Sequence, residues 1–99
     1  MILLMRFIVS GHSMEPTFKE GQTVLVSSIP YLFGGPKVGD VVVIKNSRDG
    51  RLLLKRVKKR ESKEYVVAGD NPEVSTDSRT FGPVLRKNIL GKVIFSIDK

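Results

Sequence analysis

The sequence predicts an all-β fold, a small partly closed barrel or two packed antiparallel sheets, and three observations predict it. The hydrophobic runs are short and rich in Val and Ile, Gly, Pro, Asn and Asp separate them, and only Ser13 to Lys19 looks helical. Strands this short and numerous hide their edges best by curling or packing.

The expected strands run Arg6 to Val9, Thr23 to Val26, Asp40 to Lys45, Leu52 to Lys58, Tyr65 to Ala68 and Leu90 to Ile97. Glu20-Gly21 turns the chain into the second run. Gly34-Gly35-Pro36 and Val38-Gly39 frame an exposed loop, Arg48-Asp49-Gly50 is a hairpin signal, and Ser62-Lys63 makes a tight connection. Ser13 can cap a single helical turn with Pro16 near its start.

With 99 residues, the chain has room for one domain, residues 1–99. A composition of 40% hydrophobic and 27% charged residues is that of an ordinary globular protein. Cysteine is absent, which excludes disulfides and thiolate chemistry, and one histidine makes a transition-metal site improbable, so no metal or cofactor is expected. The net charge of +7 suits an anionic surface as partner, or simply a solvated basic face. The apolar start Met1-Ile2-Leu3-Leu4-Met5 is broken at once by Arg6, too soon for a membrane span. The chain is therefore expected to be soluble or peripheral to a membrane, with no transmembrane segment.

Three segments carry candidate chemistry. In Ser10-Gly11-His12-Ser13-Met14-Glu15-Pro16-Thr17, a serine follows a strand and a glycine and opens a proline-limited turn. That placement exposes a hydroxyl where free backbone N–H groups can bind an oxyanion; taken alone, it also reads as a plain helix cap. In Leu52 to Arg60, alternation puts Leu53, Lys55 and Val57 on one face and Arg56, Lys58 and Arg60 on the other. Lys55 thus falls among apolar neighbours, and burial lowers a lysine's pKa towards the neutral form a general base needs. The opposite face holds Leu52 and Leu54, so a basic edge strand with a snorkelling Lys55 fits the pattern too. The third segment, Gly69 to Val84, is a long polar loop, and loops of that length are usually functional or disordered. Asp77 and Arg79 are available for ion pairing, and Ser75 or Ser78 for hydrogen bonding to the lysine amine.

Ser-Met-Glu-Pro-Thr, then Lys-Arg-Val, then Gly-Asp-Asn with Ser-x-Asp-Ser-Arg-x-x-Gly-x-Val resemble the type I signal peptidase family in order and detail. Val38-Gly39-Asp40-Val41-Val42 looks like a family segment as well, and the likeness runs from about Ser10 to Val84. The resemblance implies that Ser13 is the nucleophile, Lys55 the general base and Ser75 the serine that orients the lysine, with Asp77 and Arg79 supporting the site as an ion pair. It implies acyl transfer on a precursor protein carrying a signal or leader peptide with small residues before the cut. Many bacterial members have a serine two residues before the nucleophile, where this chain has Gly11. The oxyanion hole then needs the Ser13 backbone N–H and a second donor still to be found. This Gly-x-Ser form resembles the organellar inner-membrane peptidases and the small branch that matures nickel superoxide dismutase precursors. His12, next to Ser13 in sequence, is expected to point away from its hydroxyl.

Two other readings compete. A LexA-like self-cleaving regulator shares the dyad, but normally carries an upstream DNA-binding domain. A non-catalytic basic module binding nucleic acid or anionic lipid accounts for the charge but not for the paired Ser and Lys blocks. Nucleic acid is not expected as a partner of the peptidase. An anionic membrane surface is, through Met1 to Met5, Phe7, Ile8, the Tyr31-Leu32-Phe33 loop and the basic strand.

Overall fold

The fold is that of a computed structural model describing residues 4–71 and 83–97. It contains strands β1 (Met5–Ile8), β2 (Thr23–Ser27), β3 (Val41–Lys45), β4 (Leu52–Glu61), β5 (Glu64–Ala68), β6 (Val84–Leu85) and β7 (Ile89–Ile97). Short 3₁₀ turns occupy Ile29–Tyr31 and Arg86–Asn88. The strands form one antiparallel sheet in the order β1-β2-β7-β3-β4-β5-β6, all-β as expected and not closed. Among the described residues, no helix is long and apolar enough to cross a membrane.

β3 explains the architecture. It is the middle strand of the seven, and Val41, Val42, Val43 and Ile44 are all buried. A strand covered on both faces reads as a continuous apolar run instead of an alternation. Val42 and Ile44 join one cluster with Tyr31, Val57, Tyr65, Val67, Val84 and Ile89. Val41 and Val43 join another with Val9, Met14, Val24, Val26 and Leu54. Each face of β3 thus packs into its own cluster. Gly91 of β7 belongs to this packing: a Cβ there would sit 2.9 Å from the Ser27 carbonyl oxygen.

The connections are those the turn residues dictate. Arg48-Asp49-Gly50 lies in the β3–β4 loop, closed by the Asn46 N–H donating to the Arg51 carbonyl at 2.8 Å. Ser62 and Lys63 join β4 to β5, with Glu61 opposite Glu64. The segment expected to be helical is a series of turns around the cis Glu15–Pro16 bond, with one helical-type bond from the Phe18 N–H to the Met14 carbonyl at 2.9 Å. Met14, 1% exposed, anchors this turn in the core and so fixes its neighbour Ser13.

Candidate active site

Lys55 is placed by the pairing of β3 and β4. It stands opposite Val42, and Leu53 stands opposite Ile44, so both project on the face of the first core cluster with Val57. The alternation read from the sequence holds through Val57, after which a bulge between Val57 and Lys59 shifts the register. Lys55 is 2% exposed, which sets it apart from Lys58, Lys59 and Arg60 further along the same strand. Its Nζ lies 3.5 Å from Ser13 Oγ.

Ser13 and Lys55 share a small cleft of about 60 Å³, lined also by Val9, Ser10 and Arg51 to Leu54. A hydroxyl and a buried amine within this reach can carry out acyl transfer when the amine is neutral, because burial penalises the ammonium form. The Ser13 and His12 N–H groups have no hydrogen-bond partner among the described residues.

A network not evident in the sequence holds the Ser13 turn against β4. Arg56 donates from Nε and Nη2 to the two carboxylate oxygens of Asp70, both at 2.8 Å, and from Nη1 to the Gly39 carbonyl at 2.7 Å. The Thr17 hydroxyl donates to the same Asp70 at 2.6 Å. Asn71 completes the anchor, its N–H donating to the Ser13 carbonyl at 2.8 Å and its side-chain amide to the His12 carbonyl at 3.2 Å. The residue after the lysine, the Gly-Asp-Asn loop and the Thr that follows the serine block thus form one unit. The signal was in the sequence, since all three lie in the motifs already singled out, but their mutual contact was not. The Arg56 hydrogen bonds hold the Asp70 carboxyl below its ordinary range, with burial acting against them and Thr17 helping. The same bonds raise Arg56.

The His12 ring lies against two carboxylates. Its Nδ1 lies 3.1 Å from Glu15 Oε2 and its Nε2 lies 3.8 Å from Glu20 Oε1. Ser75, Asp77 and Arg79 fall outside the described residues.

The chain is all-β and sets a serine hydroxyl against a buried lysine amine at a small cleft. The sequence matches the family described as Signal peptidase, peptidase S26 over residues 1–58 and 59–97, and the chain belongs to it. It is 33% identical over 109 residues to the mitochondrial inner membrane protease subunit 1 of Mus musculus and of Homo sapiens, an alignment covering 89% of this chain. It spans 66% of the length of those relatives. Signal peptidase IB of Staphylococcus aureus is 27% identical over 143 residues, covering 90% of this chain and 75% of the relative.

Proposed function

We propose that this chain is a serine endopeptidase that removes N-terminal signal or leader peptides, with Ser13 as nucleophile and Lys55 as general base. The observation that carries the reading is the 3.5 Å approach of Lys55 Nζ to Ser13 Oγ with the lysine only 2% exposed. Ser13 Oγ attacks the scissile carbonyl and passes its proton to the neutral amine. The amine returns that proton to the leaving amino group, then takes one from the water that attacks the acyl group and hands it to the departing Ser13 Oγ. The free N–H groups of Ser13 and His12 are available to the tetrahedral oxyanion, and the latter fills the role for which Gly11 has no side chain. By likeness to the family, Ser75 orients the lysine, and Asp77 and Arg79 brace the loop.

The sheet itself offers a place for the substrate backbone. Val57 exchanges main-chain bonds with Asp40 and Gly39 at 2.8 Å, so its peptide groups face the β3 side. Alternation then turns those of Leu52 and Leu54 to the other side, where β5 has ended opposite Arg56. An extended peptide laid along that edge adds a strand with its scissile bond beside Ser13. The test is cleavage of a leader peptide with Ala at −1 and −3. Ser13→Ala and Lys55→Ala each abolish it, and turnover by either variant contradicts the assignment.

Two of the named relatives are inner membrane proteases, and the surface here suits a peripheral membrane role. Ile8 and Ile97 lie in register across β2, as do Arg6 and Phe95, leaving Ile8 65% and Phe95 60% exposed on one face. Phe33 is 95% exposed, whereas Tyr31 of the same loop is buried with its hydroxyl donating to Asp40 at 2.6 Å. Anionic vesicles should carry the protein in flotation, and a protein left wholly in solution removes this part of the reading.

A further inference from the structure

The chain before Ser13 is fastened to an unusual place: a carboxylate. Glu20 Oε2 accepts the Gly11 N–H at 3.2 Å, across nine residues of sequence. Gly11 has φ +79°, in the left-handed region, so the direction of the chain into His12 and Ser13 depends on this residue's conformation. The base that presents Glu20 is firm. The Lys19 to Gln22 turn is closed by the Gln22 N–H to the Lys19 carbonyl at 3.1 Å, with Gly21 at φ +86°. It is tied to the strand end before the nucleophile turn by the Gly21 N–H donating to the Val9 carbonyl at 2.7 Å. The Val9 N–H returns a bond to the Gln22 carbonyl at 2.8 Å.

The second carboxylate oxygen of Glu20 faces His12 Nε2 at 3.8 Å, and His12 Nδ1 meets Glu15 at 3.1 Å. Among the described residues, the charged groups facing the ring are these two, Glu15 from its own turn and Glu20 from the turn before β2. A protonated imidazole donates at both nitrogens and draws Glu20 into place. A neutral ring that donates to Glu15 turns a bare Nε2 lone pair on the Glu20 carboxylate and repels it.

We propose that Glu20 is a positioning residue for the nucleophile turn, acting through the Gly11 N–H, and that the protonated His12 ring latches it there. Glu20 occupies the Gly11 amide and leaves the His12 and Ser13 amides free to face a substrate. The latch rests on the proposed peptidase reading for its consequence in catalysis, but not for its existence. The hydrogen bond to Glu15, followed by the charges of Glu15 and Glu20, raises His12 above its ordinary 6.5. The latch is therefore closed below that value and opens as pH rises through the higher folded value. The side chains of His12, Glu15 and Glu20 are 58%, 37% and 57% exposed, so the effect is a modulation and not a requirement.

His12 is the sole histidine, so its ring titration by NMR is unambiguous. In the intact chain the Gly11 amide shift should follow the His12 midpoint, and Glu20→Gln should uncouple the two while lowering that midpoint. In leader-peptide cleavage, Glu20→Gln should reduce kcat about threefold to tenfold with KM little changed, as for the loss of one charge-assisted hydrogen bond. The parental kcat should fall as pH rises through the His12 midpoint, and His12→Asn should remove that step while Glu20 is intact. A Gly11 amide indifferent to His12, or a Glu20→Gln enzyme with the parental pH profile, overturns the proposal. If Gly11 follows His12 but no peptide is cut at any pH, the latch is supported and the peptidase reading fails.

Discussion

The two halves of β4 use the same residue types to opposite ends. From Leu52 to Arg56 the strand is flanked by β3, Leu54 and Lys55 are buried, and Arg56 is tied into the Asp70 network. From Lys58 to Glu61 it has only β5 beside it among the described residues, and Lys58, Lys59, Arg60 and Glu61 are exposed. A cation's role here is set by which strand lies next to it. β3, buried on both faces, carries its neighbour's first half into the core. The second half projects, and its cations stay in water or pair weakly, as Lys59 does with Glu61 at 3.4 Å.

The sharpest way to break this contrast is to make the same change in both halves. Lys55→Met should lower cleavage by at least about a thousandfold while leaving thermal stability equal or higher, since an apolar side chain of similar length replaces a buried amine. Lys58→Met should leave cleavage within about twofold, as expected for an exposed position.

Next in size is Arg56→Ala. It strips Asp70 of two charge-assisted hydrogen bonds and Gly39 of one, and should cost about 2–4 kcal/mol in urea unfolding. Cleavage should fall with it, because Thr17 and the Ser13 turn lean on the same carboxylate.

The pH dependence of stability sharpens the same point. Arg56 holds the Asp70 carboxyl below its ordinary 3.8, against the opposing pull of burial. A carboxyl lowered by folding stabilises the fold above its unfolded value, and that contribution disappears as pH falls through the folded one. The Tm should therefore drop additionally below about pH 4, and Arg56→Met should lack that drop. The smallest effect belongs to the projecting half. Arg60 sits 5.8 Å from the Tyr65 ring centroid, and Arg60→Ala should cost no more than about 1 kcal/mol.

Much of this was legible in the sequence because the strands obey local rules. β2, β3, β5 and β7 lie within a residue of the expected bounds, and the face shared by Leu53, Lys55 and Val57 follows from a period of two. β4 runs three residues past Lys58, because pairing with β5 sustains a strand whose side chains are too polar to announce it. β6 is only Val84–Leu85 and carries no periodicity to read. The 3₁₀ turn at Ile29–Tyr31 depends on Tyr31 reaching Asp40, a contact between segments. Arg56, Asp70 and Thr17 were each visible within their motifs. That they meet at one carboxylate follows from packing the Ser13 turn beside β4, which no local pattern encodes. The Glu20 latch was hidden for the same reason.

The central claim is that Ser13 becomes acylated because Lys55 takes its proton. Intact-mass analysis of a single turnover, with a leader-peptide ester mixed rapidly and quenched in acid, tests it directly. An acyl adduct should map to Ser13 in the parent protein, with none in Lys55→Met over the same interval. An adduct forming equally fast in Lys55→Met, or mapping to a residue other than Ser13, would contradict it.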